Sequence, residues 1–170
     1  LAQIRDSLLT EVKIGQVPLQ IDRLAQQLIK KAGGKPSFMT VNNYRWATCI
    51  SVNDGVVHGV PTAVPFAAGD IVSLDVLFLY KSFHTDTSWS KYLAFDNDAQ
   101  DKEAQRFLNV GEHALKLAIA QAWVGNRVGH ISKVIQTTVE AAGFSVVKSL
   151  VGHGVGKKLH ETPQIPGVLN

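Results

Sequence analysis

Residues 71–88 decide the fold, and they read Ile71-Val-Ser-Leu-Asp75-Val-Leu-Phe-Leu-Tyr80-Lys81-Ser-Phe-His-Thr-Asp86-Thr-Ser88. The first half is almost continuously apolar, which is typical of a buried β-strand. The second half is rich in threonine and aromatic residues, which also favour strands. A tight turn at Tyr80-Lys81 predicts an antiparallel hairpin in which Asp75 lies directly opposite Asp86.

Two opposed carboxylates on paired strands predict a bound cation. Like charges directly opposite destabilise a strand pair, and a carboxylate in a buried strand is costly unless it is paired or binds a metal. Since the only basic residue near the pair is Lys81 at the turn, a divalent cation is the expected partner, and two metals can share a bridging carboxylate. The spacing leaves a second reading open, in which Asp75 is hydrogen-bonded to backbone and Asp86 is an exposed hairpin residue.

The rest of the chain predicts helices on both sides of this hairpin. Apolar residues recur at helical spacing in the segments 1–12, 18–32, 101–122 and 128–142. Further strands are predicted at 48–52, 56–57, 83–93 and 144–150. The order predicts an α+β fold in one domain, 1–170, built from two structural duplicates: a first half, 1–100, and an incomplete second half, 101–170, that lacks a second hairpin.

Composition narrows the class of protein. With 45% hydrophobic and 18% charged residues the chain is typical of a globular domain. No run approaches the roughly 18 apolar residues of a membrane helix and no signal-peptide pattern begins the chain, so a cytoplasmic location is expected. Cys49 is the single cysteine, and the net charge of +3 comes from scattered residues, which disfavours nucleic-acid binding as the primary role.

A glycine-rich segment, Gly152-His153-Gly154-Val155-Gly156, leads into His160. It does not match the phosphate-binding loop, and the sequence contains neither H-E-x-x-H nor G-x-S-x-G. A histidine near glycines is ordinarily a hydrogen-bonded loop residue. His153 and His160 are therefore candidate site residues only as a set with the two aspartates. His84 is predicted opposite Leu77 as a neighbour of the ligands rather than a ligand.

Four linked segments, 51–61, 69–76, 83–88 and 152–165, resemble the type I methionine aminopeptidases. The resemblance spans nearly the whole chain and implies the pita-bread fold, with pseudo-duplicated halves around a curved antiparallel sheet and a truncated second half. In the family pattern Asp75 resembles a ligand of one metal, Asp86 the carboxylate bridging both, and His153 the imidazole ligand. His58 resembles the histidine near the scissile peptide nitrogen, and His160 the one that hydrogen-bonds the scissile carbonyl.

The resemblance also implies a substrate pocket and its cofactors. Tyr44 and Cys49 fall where the family lines the pocket for the methionine side chain, with Phe38 and Leu159 as neighbours. Two divalent metal ions, chosen from Co, Mn, Fe and Zn, are the implied cofactors. The implied reaction is removal of the initiator methionine from nascent proteins by a metal-activated hydroxide, carried out by a monomer with the ribosome as a further partner and without a membrane.

The family completes its site with two glutamates beyond the histidine loop. This chain ends before either could occur, so we expect the 170 residues alone to be an incomplete site with little activity. Two alternatives are an Xaa-Pro aminopeptidase of the same fold and a pita-bread binding module without catalysis.

Overall fold

The computed structural model describes residues 1–95 and 99–169. The elements, in chain order, are α1 Ala2–Glu11, α2 Pro18–Lys31, β1 Lys35–Pro36, a 3-10 turn at Phe38–Thr40, β2 Thr48–Val52, β3 Ile71–Tyr80, β4 Phe83–Tyr92, α3 Ala99–Gln121, α4 Val128–Ala141, β5 Val151–Gly154 and β6 Glu161–Pro166. They form two compact units. The first unit is Leu1–Asp101 with Gly156–Leu159, and the second is Lys102–Val155 with the segment that begins at His160.

Strand β3 is the centre of the sheet in the first unit. It pairs with β4 along its whole length on one side, and with β1 and β2 in succession on the other, all antiparallel. This arrangement confirms the predicted hairpin and the α+β class. Because β3 has partners on both edges, its backbone groups are satisfied without water.

The core lies between this sheet and helices α1 and α2. Val72, Leu74 and Val76 are fully buried against the helices, and each such side chain contributes about 1.5–3 kcal/mol by burial. Successive residues of a strand point to opposite faces. Asp75 and Leu77 therefore lie on the other face of the sheet, away from the helices.

The predicted register of the hairpin is wrong, because the turn lies one residue later in the chain than predicted. The two loop residues are Lys81 and Ser82, both left-handed with φ of 47° and 67°, as a type I′ turn requires because its twist matches that of the strands. Asp75 consequently pairs with Ser88, and Asp86 with Leu77. Since the change is two residues, both carboxylates still lie on one face.

The same shift places His84 opposite Leu79 rather than Leu77. His84 therefore lies two residue pairs closer to the turn than Asp86, on the same face of the sheet.

Helix predictions agree with the structure to within two residues at each end, but two predicted strands are absent. Val56 and Val57 are exposed loop residues. Residues 144–150 do not pair with any described strand. The N–H of Phe144, just after α4, donates to the carbonyl of Val139 in the last turn of that helix, and the Phe144 ring packs against Phe107. The hairpin of β5 and β6 was not predicted.

Within residues 1–95 and 99–169, none of the helices combines the length and the apolar character needed to cross a membrane.

Candidate metal centre

The two aspartates of the central hairpin form a carboxylate pair on the sheet face opposite the helices. They belong to residue pairs of β3 and β4 that are two positions apart, on the same face of the sheet, and they are hydrogen-bonded to each other. The Oδ1 atom of Asp75 is buried and has no hydrogen-bond partner in the described part of the chain. The prediction that the two carboxylates converge from adjacent strands is confirmed, although they are diagonal rather than directly opposed.

The electrostatics of the pair favour a cation. Burial, the largest cause, together with the charge and hydrogen bond of Asp86, raises the pKa of the Asp75 carboxyl to about 7, while a hydrogen bond from the Val76 backbone acts in the opposite direction. Near neutral pH the pair therefore tends to share a proton. A buried oxygen without a partner beside a second carboxylate is a donor set that suits a divalent ion. These residues fit the metal that the sequence predicts.

An apolar cluster adjoins the carboxylates on the same side of the sheet. Its buried members are Phe38, Cys49 and Leu77, and Tyr44 and Leu159 pack against them. Cys49 is the β2 partner of Asp75, so the cluster begins at the carboxylate pair. All four residues predicted for the substrate pocket thus come together, which the sequence spacing alone could not establish.

Tyr44 is the polar member of this cluster. Its hydroxyl donates to the Thr48 carbonyl oxygen at 2.8 Å and lies 3.3 Å from the Cys49 sulfur, while its ring meets Phe38 at 5.6 Å. Burial and the hydrogen bond with Cys49 hold the pKa of Tyr44 well above its ordinary range. Burial also raises the pKa of the Cys49 thiol to about 11. Both groups are therefore neutral, as an apolar pocket requires.

His58 is exposed in a backbone conformation that non-glycine residues rarely adopt, with φ of 56°. The following Gly59 holds it against β2: the Gly59 carbonyl accepts from the Ile50 N–H at 2.8 Å, and its N–H donates to the Ser51 hydroxyl. A Cβ at Gly59 would lie 2.3 Å from the Ile50 carbonyl oxygen. Only glycine allows this approach, which fixes the position of His58.

His153 and His160 face each other in the second unit, with ring centroids 4.4 Å apart. The Nδ1 atom of His153 lies 2.9 Å from the Gly154 carbonyl oxygen, and because a carbonyl only accepts, Nδ1 carries the proton. The neutral ring then has its lone pair on Nε2, which is how metal-binding histidines are ordinarily oriented. The pairing of β5 with β6 has a bulge between His153 and Gly154. A Cβ at Gly154 would meet the Thr162 carbonyl oxygen, so this bulge requires glycine.

His84 links the strand of Asp86 to two other segments. Its Nδ1 lies 3.0 Å from the hydroxyl of Ser37, which precedes Phe38, and its backbone N–H donates to the Gly156 carbonyl oxygen at 2.7 Å. Its predicted role as a neighbour of the metal ligands stays a prediction. One further buried carboxylate, Asp22, was missed. It lies on the apolar face of α2 with Ile21, Ala25 and Ile29, and a charge on that face was the available signal.

No group of three or more His, Cys, Asp and Glu side chains suited to a metal ion occurs among residues 1–95 and 99–169. The set of Asp75, Asp86 and His153 as ligands therefore stays a prediction. The two carboxylates carry the local evidence for it.

Comparison with known proteins agrees with the geometry. The family model for metallopeptidase family M24 matches residues 1–169. Methionine aminopeptidase 1 of Bacillus subtilis is 38% identical over 165 residues, which are 97% of this chain and 65% of the relative. The chain thus spans slightly less than two thirds of that relative's length.

Solved structures share the fold. The methionine aminopeptidase of Thermotoga maritima superimposes with a TM-score of 0.92 at 36% identity, covering 99% of this chain and 67% of that one. A prolidase of Pyrococcus furiosus has a TM-score of 0.79 at 22% identity, over 97% and 48% of the two chains, and shows the fold alone. These similarities confirm the predicted pita-bread fold, and the chain belongs to metallopeptidase family M24.

Proposed function

We propose that the protein carrying this sequence is a metal-dependent aminopeptidase that removes methionine from the N-termini of new proteins. The observation that carries the proposal is the Asp75–Asp86 pair, with its unpartnered buried oxygen, directly beside an apolar cluster. A charged site that joins an apolar pocket suits a substrate whose reacting group lies beside an apolar side chain. The methionine aminopeptidases among its relatives support the choice of side chain.

Asp75, Asp86 and His153 are the proposed ligands of two divalent ions. Carboxylate oxygens with one imidazole suit Co, Mn, Fe or Zn. When bound, such ions supply Lewis acidity toward the peptide carbonyl and lower the pKa of water. The residues of the chain do the rest: Asp75 and Asp86 hold the charge, and the Nδ1 hydrogen bond of His153 fixes its ring.

The remaining residues bind and orient the peptide. Phe38, Tyr44, Cys49 and Leu159 would enclose the methionine side chain, and burial of its apolar surface would favour binding. His58 is proposed to contact the scissile peptide nitrogen. His160 is proposed to donate to the carbonyl oxygen as negative charge develops there, a role that commonly lowers a barrier by a few kcal/mol. Such a protein acts in the cytoplasm, where new chains emerge.

The test uses the purified protein at its full natural length, with Mn or Co, and the peptide Met-Ala-Ser. We expect release of methionine, and we expect Asp75→Ala or Asp86→Ala to lower kcat/KM by roughly 10³-fold, because the metal supplies several kcal/mol of stabilisation. Metal binding, followed by calorimetry, should weaken in the same variants. Asp6→Ala is the matched control, since Asp6 is an exposed carboxylate paired with Arg5.

Two outcomes would contradict the proposal. Preferred cleavage of Leu-Pro-Ser over Met-Ala-Ser would assign the protein to the Xaa-Pro peptidases. Failure to bind divalent ions in the intact protein would identify a pita-bread binding module instead.

A further inference from the structure

Asp22 is a buried carboxylate that the proposed chemistry does not use. It lies in α2 with 2% of its surface exposed. Its Oδ1 accepts three hydrogen bonds, from the Ala47 N–H at 2.8 Å, the Thr48 N–H at 2.9 Å and the Thr48 hydroxyl at 2.8 Å. Its Oδ2 accepts one from Gln26 at 2.8 Å. Both oxygens are therefore satisfied, and three of the four donors belong to one short segment.

That segment leads directly into the apolar cluster. Ala47 and Thr48 are fully buried at the start of β2, and Cys49 follows them. Thr48 donates two hydrogen bonds to Asp22. Its carbonyl oxygen accepts a third from the hydroxyl of Tyr44. Two members of the cluster, Tyr44 and Cys49, are thus connected to Asp22 through Thr48.

The chain directly before β2 belongs to no helix or strand. Residues 41–47 form turns and irregular backbone, with Asn43 at a φ of 66°. Without Asp22 the buried N–H groups of Ala47 and Thr48 would lose an acceptor, which is costly for buried donors. The entry into β2, rather than the sheet as a whole, depends on this carboxylate.

Asp22 also acts on the cluster through its charge. It adds to the pKa rise of Tyr44 and Cys49, for both of which burial is the largest cause. The carboxylate thus favours the neutral forms that an apolar pocket needs.

We propose that Asp22 is a positioning residue for the substrate pocket: it fixes the start of β2 so that Tyr44 and Cys49 present a preformed surface to the substrate's side chain. This inference rests on the proposed function. A residue that shapes the pocket but touches no reacting atom should affect substrate binding and side-chain selectivity more than the chemical step.

Asp22→Ala in the intact protein tests this with two measurements. Alkylation of Cys49 by iodoacetamide, located by mass spectrometry, reports whether the pocket stays closed, and we expect its rate to rise about tenfold through local opening. Kinetics with Met-Ala-Ser should show KM raised about tenfold with kcat within about threefold. Selectivity for Met-Ala-Ser over Leu-Ala-Ser should fall as well.

Two variants separate positioning from general stability. Asp22→Asn keeps the Oδ1 acceptor, so KM and Cys49 protection should stay within about threefold of the parent, although the bonds lose their charge assistance. Leu8→Ala removes a fully buried core side chain and lowers stability through a cavity. It should leave KM and Cys49 protection unchanged at a temperature at which every variant is folded.

An unchanged KM and an unchanged alkylation rate in Asp22→Ala would overturn the inference, as would the same changes in Leu8→Ala. Complete absence of aminopeptidase activity in the parent would instead contradict the proposed function. In that event the alkylation rates still decide whether Asp22 holds the pocket.

Discussion

Asp75 occupies a position where a sheet gains nothing from a carboxylate. It is in the central strand, its neighbours across the sheet are Cys49 and Ser88, and the nearest charge is that of Asp86, which raises its pKa. Desolvation and like-charge repulsion both oppose ionisation there. An apolar residue would make a more stable strand, so the carboxylate is retained for a function rather than for the fold.

This cost should appear as a pH dependence of the metal-free protein. An ordinary Asp has a pKa of roughly 3.9, whereas burial and Asp86 raise that of Asp75 to about 7. The folded state therefore holds the proton more tightly than the unfolded state. The proton on Asp75 therefore adds to the free energy of unfolding. This contribution is complete below about pH 4 and is lost as the pH rises toward 7.

We therefore expect Asp75→Asn, stripped of metal with EDTA, to gain stability relative to the parent between pH 5 and pH 8. The gain should be on the order of 2 kcal/mol, measured by urea unfolding at each pH. Ser88→Ala replaces the β4 partner of Asp75 but alters no charge. It should show no such pH-dependent gain. If the difference in stability between the parent and Asp75→Asn were the same at pH 5 and pH 8, Asp75 would ionise without cost.

A site residue could be predicted when its neighbours in the sequence made it unusual. Asp75 could be identified because a carboxylate in an apolar run has few structural explanations. Asp22 was missed although the apolar face of α2 carries it, because a charge on that face does not reveal its partners: its four donors come partly from residues far along the chain. The tautomer of His153 likewise depends on a bulge that appears only in three dimensions.

At the scale of elements, the β3–β4 turn controls the geometry of the carboxylate pair. Lys81 and Ser82 both have positive φ, which costs about 1 kcal/mol for a residue other than glycine. Lys81→Asn with Ser82→Gly places the favoured Asn-Gly pair in the same turn. The double variant should be more stable than the parent by about 1 kcal/mol, measured as a higher urea midpoint with metal affinity unchanged.

The opposite substitution tests the same turn. Ser82→Pro forces φ to about −65°, so the hairpin should lose stability and the carboxylates their alignment. Unchanged metal affinity in Ser82→Pro would show that the turn does not determine the register. Loss of metal affinity in the Asn-Gly variant would show that this pair does not keep the parent's turn.

Elements were predictable where one signal dominated. The helices have sustained apolar periodicity and glycine stops, so their ends agree within two residues. Strands β5 and β6 have neither: β5 contains two glycines and β6 two prolines, which weaken any strand pattern. Conversely, residues 144–150 have the composition of a strand, but the backbone of Phe144 bonds instead to the end of α4. A strand needs a partner, which composition does not supply.

At the scale of the whole molecule, residues distant in sequence meet. Gly156–Leu159 belongs to the first compact unit, where the Gly156 carbonyl accepts from the His84 N–H and Leu159 packs on the apolar cluster. No local periodicity predicts such a return. Only the family resemblance, which links all four motifs, indicated that Leu159 lines the pocket.

Metal binding should therefore stabilise the whole protein, since it offsets the repulsion between Asp75 and Asp86. A ligand present at 100 times its Kd stabilises the folded state by about 2.7 kcal/mol, which corresponds to a Tm rise of roughly 5–10 °C for a protein of this size. We expect that rise on adding Mn or Co, measured by circular dichroism. It should disappear in Asp75→Ala and Asp86→Ala.

His153→Ala extends the same measurement to the proposed imidazole ligand. If His153 binds metal, the variant should need at least about tenfold more metal for the same Tm rise. Loss of a residue that only orients a ligand typically weakens metal affinity by about 10 to 100-fold, and loss of the ligand itself should weaken it at least as much. His130→Ala is the matched control, because the Nδ1 atom of His130 accepts from the Arg127 N–H at the start of α4 and has no predicted part in the site. An unaltered metal dependence in His153→Ala would leave the two carboxylates as ligands and remove His153 from the set, whereas a Tm rise that persists without Asp75 and Asp86 would locate the metal elsewhere.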